Sequence, residues 1–193
     1  LSENSAAVID NASNMIVNFG TEALVRYHGA PEKYSLEWPM KSGVMADYHL
    51  TRDMLRYFLG KALHQSVSRP AVMMGIPSSL SSVGRHALID AVLHAGARKV
   101  YLIHASAAAV LGAGMSLTLP AAIMSVVIGR DLTDCGLFTC GGVAAQEAIV
   151  FGGHTVDEGI RAYLHETYHM IIGSRGAEEI KTQVASAIKP KDE

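Results

Sequence analysis

Two short apolar runs, Ala71–Ile76 and Lys99–His104, bracket a stretch with helical spacing, and few folds accommodate that arrangement. The first run is bounded by turn chemistry on both sides, residues 66–70 before it and Pro77-Ser78-Ser79 after it. Continuous apolarity suits parallel strands buried on both faces. Between the runs, Ala87, Leu88, Ala91, Val92 and Ala95 recur at helical intervals, with Ser81 or Ser82 to cap the start and Gly96 to suit the end. Strand, helix and strand in succession predict an α/β unit with a parallel sheet.

The flanking segments extend this unit. Leu50, Met54, Leu55, Phe58, Leu59, Ala62 and Leu63 share one face of a helix whose start Thr51 caps and which ends before Ser66. Residues 105–113 are an Ala-rich helix closed by Gly112 and Gly114. Upstream, residues 6–9 and 15–17 form a hairpin around Asn11-Ala12-Ser13-Asn14. A short helix follows Gly20-Thr21, and residues 29–39, with their two prolines, read as a connection. After Pro120 the pattern changes to three strand candidates, residues 121–128, 135–139 and 143–150, joined by short Gly-containing links as in an antiparallel meander. Gly152-Gly153 ends it. Thr155 then caps a helix to Ile172, with Glu158 at the third position of a capping box and Ile160, Leu164, Thr167 and Ile171 as its buried stripe. A last helix covers residues 177–187, and residues 189–193 form a loose polar tail.

The composition narrows the function classes. A chain of 193 residues that is 49% hydrophobic supports a sizeable core in one large or two small domains. A net charge of -2 leaves no electrostatic footprint for nucleic acid, and 6% aromatic residues argue against a base-stacking platform. No run of 18 apolar residues and no secretory signal is visible, so no membrane span is expected. Cys135 and Cys140 read as buried free thiols in a reducing compartment, not as a disulfide scaffold. The first residue is Leu1, not Met, so a piece of a longer sequence is expected.

Three stretches carry a resemblance: PMKSGVMADYHLTRDMLRYFL at residues 39–59, SRPAVMMGIPSSLSSVGRHALIDAVLHAGARKVYLI at 68–103, and FGGHTVDEGIRAYLHETYHMIIGSRGAEEIK at 151–181. AAAVLGAG at 107–114 lies between them. Together and in this order they resemble the MreB family of bacterial actin-like, rod-shape-determining proteins over nearly the whole chain. The resemblance implies an α/β, actin-like (ribonuclease-H-like) fold of two halves around a nucleotide cleft. Residues 1–120 would be the first half (subdomains IA and IB) without its first strand pair, and residues 121–193 the start of the second half (IIA and IIB). It further implies a cytoplasmic, filament-forming, cell-shape-determining protein with ATP and Mg²⁺ as cofactors, self-association into protofilaments and membrane association. Against the membrane part, the family's N-terminal amphipathic segment is absent, and the loop at residues 65–69 is short and polar where the family exposes apolar residues.

Departures from the family pattern fall on the cleft. The stretch VIGRDLTD, residues 127–134, stands where the resemblance places the second phosphate loop, a strand ending in Asp followed by three glycines and two threonines. Val127 occupies the Asp position, removing a carboxylate that would organise Mg²⁺. Gly129 and Thr133 match, Arg130 and Asp131 replace glycines, and Leu132 replaces a Thr. Asp131 would repel phosphate, whereas Arg130 would pair with it. Ala105 falls at the position of the family's catalytic Glu, so no catalytic residue is assigned. The neighbouring His104 reads as a satisfied strand-end histidine. Gly152, Gly153, Glu178, Glu179 and Lys181 match cleft residues of the second half, with a solvated helix face as the plain alternative for the last three.

One motif competes. His165-Glu166-Thr167-Tyr168-His169 is HExxH, whose two imidazoles can bind Zn²⁺ from one side of a helix. The expected stripe turns both histidines toward solvent, and no third ligand is suggested, so no metal is assigned. Two functional readings stand: an MreB-class cytoskeletal subunit with degraded ATP motifs, and a nucleotide-free pseudo-actin serving as a binding module or remnant. A zinc hydrolase ranks behind both, and so does an active ATPase or kinase from another branch of the fold.

Overall fold

The computed structural model describes residues 1–63, 69–118 and 120–188. The chain opens on an antiparallel hairpin, β1 (Ala7–Asp10) and β2 (Met15–Phe19), and Asp10 Oδ1 ties its turn by accepting from the Ala12 and Ser13 amides. After α1 (Thr21–Gly29) the chain returns as β3 (Tyr34–Glu37) on the other edge of β1, giving the order β2-β1-β3. Residues 29–39 are therefore not a plain connection. Pro31 and Pro39 lie just outside β3, where they break no ladder bond. Ala6, Val8 and Ala23 are fully buried at the centre of this unit, with Tyr27, Tyr34, Leu36 and Trp38 packed around them.

A tight hairpin, β4 (Met40–Lys41) and β5 (Val44–Met45), leads into α2 (Tyr48–Ala62). Its cap is Asp47, whose Oδ1 accepts from the Leu50 amide at 2.8 Å, and not Thr51. Thr51 is buried inside the first turn, and its hydroxyl donates back to the carbonyls of Asp47 (2.6 Å) and Pro39 (3.2 Å). Next come β6 (Ala71–Ile76), α3 (Ser82–Ala95) and β7 (Lys99–His104), the predicted α/β unit, with the two strands parallel from Ala71 opposite Lys99 to Ile76 opposite His104. Ser81 caps α3 by accepting from the Gly84 amide. Ile76, Leu80, Leu88, Val92 and Ala97 form the core beneath the helix, and Leu55 of α2 reaches it. The sheet is covered on one face only: Met73 is 65% and Tyr101 46% exposed. The expectation of strands buried on both faces thus fails, because α3 shields only the side facing it.

The helix α4 (Ala105–Gly112) leads to an antiparallel meander, β8 (Ile123–Ile128), β9 (Thr133–Thr139) and β10 (Gly142–Ile149), in the order β10-β9-β8. Ala107 and Val110 of α4 pack on Phe138 of β9, with Ile103, Leu117 and Ile123 around them. The other face of β8 leaves Met124, Val126 and Ile128 exposed. Both cysteines are free, but Cys140 lies exposed in the β9–β10 turn and Cys135 is only half-buried, so the buried-thiol expectation fails.

The helix α5 (Gly153–Tyr168) starts earlier and stops sooner than its sequence pattern suggests. Thr155 is its third residue, not its cap, and Glu158 is not in a capping box. His169 takes a left-handed conformation (φ 55) that ends the helix, so Ile171 falls outside it and is 87% exposed. Of the expected stripe, Ile160 and Leu164 are half-buried and Thr167 is exposed. The last helix is α6 (Ser174–Val184), three residues earlier at each end than residues 177–187. The polar tail 189–193, and the loop 65–69 apart from Arg69, lie outside the described residues.

This one-sided packing has a measurable signature. In urea unfolding, Leu88→Ala should lower stability by about 2–5 kcal/mol, the cost of a cavity in a packed core. Met73→Ala, on the open face, should change it by no more than roughly 0.5 kcal/mol.

Candidate functional site

The turn between β8 and β9 gathers most of the residues singled out from the sequence. The chain leaves β8 at Ile128 and closes the turn with the Gly129 amide donating to the Leu132 carbonyl at 2.9 Å. Thr133 opens β9 and is buried; its hydroxyl donates to the Phe151 carbonyl at 2.8 Å, which fixes the exit of β10 beside the turn. The start of α5 then lies directly against the turn backbone. The Gly153 amide donates to Gly129 O at 3.0 Å, and the His154 amide to Arg130 O at 2.7 Å. These are first-turn amides, which a helix leaves without intrahelical partners and which otherwise suit anions.

Close approach is why residue 152 is glycine. A Cβ there would sit 2.6 Å from Gly129 O and 2.5 Å from Arg130 O, both fixed backbone atoms. Lys181 of α6 joins from the far side, with Nζ donating to Gly153 O at 3.2 Å and pairing with Asp157 Oδ1 at 2.8 Å. Both members of this pair are largely shielded, with side chains 20% and 12% exposed, so each charge depends on the other.

Arg130 is engaged on two sides. Its Nη1 lies 2.9 Å from Asp131 Oδ1, and its guanidinium lies over the Trp38 ring, 4.4 Å from the centroid. Asp131 Oδ2 in turn accepts from the Ser42 amide at 3.5 Å. One residue beyond Thr133, Asp134 is 1% exposed. Its Oδ1 accepts from the Ser78 amide (2.8 Å) and hydroxyl (2.6 Å), and its Oδ2 accepts from the Ser106 amide (3.2 Å). Burial works to raise the pKa of this carboxyl, but the donors of Ser78 and Ser106 outweigh it and hold it below the usual carboxylate range.

Gly129, Arg130, Thr133, Gly152, Gly153 and Lys181 thus converge. Glu178 and Glu179 do not: both are exposed on α6, where Glu179 pairs with Arg175 at 3.0 Å. Ala105 begins α4 and brings no carboxylate, and Val127 is half-buried on β8. His104 Nδ1 is buried and has no hydrogen-bond partner among the described residues, so the expected satisfied histidine is not found there. The HExxH motif is split, with His165 in the last turn of α5 and His169 beyond its end. No cluster of three or more metal-ligating side chains occurs among the described residues.

Sequence reasoning missed Trp38, Asp134 and Asp157. Only Asp134 left a trace, as a carboxylate at the start of a strand.

The chain matches the family described as MreB/Mbl protein over residues 1–193. It is 32% identical to the cell shape-determining protein MreB of Pasteurella multocida, over 91% of this chain and 51% of that protein. It is also 32% identical to the cell shape-determining protein Mbl of Bacillus subtilis, over 96% of this chain and 56% of that protein. The chain therefore spans about half the length of these relatives. Among solved structures it superposes on MreB5 of Spiroplasma citri bound to ADP with a TM-score of 0.88 and 26% identity, covering 97% of this chain and 56% of that one.

Two substitutions test the construction of the site. Asp134→Asn should destabilise the chain at pH 7 by about 1.5–3 kcal/mol, the range for hydrogen bonds to a charged group. Because the folded carboxyl titrates below its unfolded value, its contribution is whole above about pH 4 and is lost as pH falls through the folded pKa. The gap between wild type and variant in urea unfolding should narrow accordingly from pH 7 to pH 3. Gly152→Ala forces backbone atoms apart and should cost roughly 1–3 kcal/mol in the same measurement.

Proposed function

This chain belongs to the MreB/Mbl family, and from that premise we propose that it is an actin-like cytoskeletal subunit of the cell-shape-determining class that assembles without depending on ATP. The division into residues 1–120 and 121–193 as parts of the two actin-like halves belongs to the same reading. What supports that division is the change from a parallel strand pair to an antiparallel meander across residue 120. Self-association into protofilaments follows from family membership, and so does a cytoplasmic, membrane-associated location. Among the described residues, no helix is long and apolar enough to cross a membrane.

The single observation behind nucleotide independence is the engagement of the β8–β9 turn. The side-chain and helix-start donors that would meet a phosphate there already have protein partners: the Thr133 hydroxyl holds Phe151 O, the Gly153 and His154 amides hold the turn carbonyls, and the Arg130 side chain holds Asp131 and Trp38. Mg²⁺ has no carboxylate at Val127, and a hydrolytic water has none at Ala105. The residues present therefore do not fit ATP with Mg²⁺, and no hydrolytic step is derived.

A second reading, residual anion binding, has one observation in its favour. The Arg130 and Asp131 amides find no acceptor among the described residues, and MreB5 of Spiroplasma citri was solved with ADP. The two readings separate cleanly. Sedimentation should recover the same pelleted fraction with and without Mg-ATP, and calorimetry should register no ATP binding. Micromolar ATP affinity, or pelleting only with ATP, overturns the proposal.

A further inference from the structure

The β8–β9 turn reaches far back along the chain. Arg130 covers one face of Trp38, and Trp38 in turn packs against the core of the first sheet around Ala6, Val8 and Ala23. Asp131 fixes the guanidinium from the side and accepts from the Ser42 amide, 89 residues earlier in the sequence. Leu132 adds an apolar contact, with its Cδ1 3.6 Å from the point where a Cβ on Gly43 would lie. Cation, carboxylate and apolar side chain from one turn thus all land on residues 38–43.

We propose that Arg130 and Trp38 form an internal clamp that joins the turn at residues 129–132 to the segment at residues 38–43 without any nucleotide. The proposal rests on the reading of the chain as nucleotide-independent and names the device that makes it so. A guanidinium that lies over the indole still has N–H groups for the neighbouring carboxylate, so one side chain makes both contacts. A phosphate that pairs with the Arg130 guanidinium would have to draw it from Trp38 and from Asp131 together. Lys at this position keeps the charge but loses the forked guanidinium that reaches Trp38 and Asp131 together, so the clamp is specific to Arg.

Trp38 is the only tryptophan in the chain, so its fluorescence reports on the clamp directly. The test compares wild type, Arg130→Ala and Arg130→Lys by emission maximum and acrylamide quenching, with circular dichroism to check folding. Both variants should shift emission to the red and raise the quenching constant, because the group over the ring face is lost and solvent and quencher gain access. Adding Mg-ATP to wild type should change neither quantity. Wild-type quenching in a folded Arg130→Ala or Arg130→Lys chain overturns the clamp, and so does exposure of Trp38 by Mg-ATP. Micromolar ATP binding by calorimetry with Trp38 still shielded would overturn nucleotide independence and leave the clamp standing.

Discussion

Asp134 accepts hydrogen bonds from Ser78 at the end of β6 and from Ser106 at the start of α4, while its own backbone belongs to β9. One carboxylate therefore ties the carboxyl end of the parallel pair to the antiparallel meander. A carboxylate buried this deeply needs several donors to offset its lost hydration, and the two serines provide them. Ser78 sits in the turn that follows β6, and Ser106 in the first turn of α4, which follows β7 directly. Everything that approaches the β8–β9 turn, from Trp38 on one side to α5 on the other, relies on β9 standing where this network puts it.

Around that fixed strand, the turn has exchanged one kind of chemistry for another. Glycines leave backbone groups open to a ligand. Arg130 and Asp131 instead bring side chains that satisfy one another and then reach Trp38 and Ser42. On the opposite side, Gly152 keeps the closeness that the family pattern suggests, yet the surface it approaches is the turn's own pair of carbonyls. The result is a junction whose side-chain donors are turned toward protein partners.

Local pattern carried much of the fold. The bounds of β6 and β7 were legible to the residue because each is a short apolar run between turn signals, and the caps Ser81 and Gly96 fix α3 between them. Where reading failed, a competing local signal was present. Thr51 masks Asp47 as a cap, prolines at 31 and 39 disguise β3, and the apolar rhythm through Ile171 outruns a helix that His169 stops. The site divides in the same way. The glycines at 129, 152 and 153 and Thr133 were readable from their motif, and they converge. The Trp38 contact of Arg130 and the partners of Asp134 and Lys181 were not readable, because each is set by tertiary approach: Ser78 lies 56 residues from Asp134, and Gly153 lies 28 from Lys181.

The core shared by α4 and β9 has a mechanical consequence. Ala107 and Val110 lie before residue 120, and Phe138 and Ile123 lie after it, yet all belong to one packed cluster. Gly136 lets α4 come close, since a Cβ there would meet Ser106 Oγ and the Phe138 ring within 2.7 Å. The two sheets are thus joined by interlocked side chains in addition to the connecting chain at residue 120. Relative motion between them has to slide one packed surface over another, the stiff, small-amplitude mode of shear rather than the free swing of a hinge.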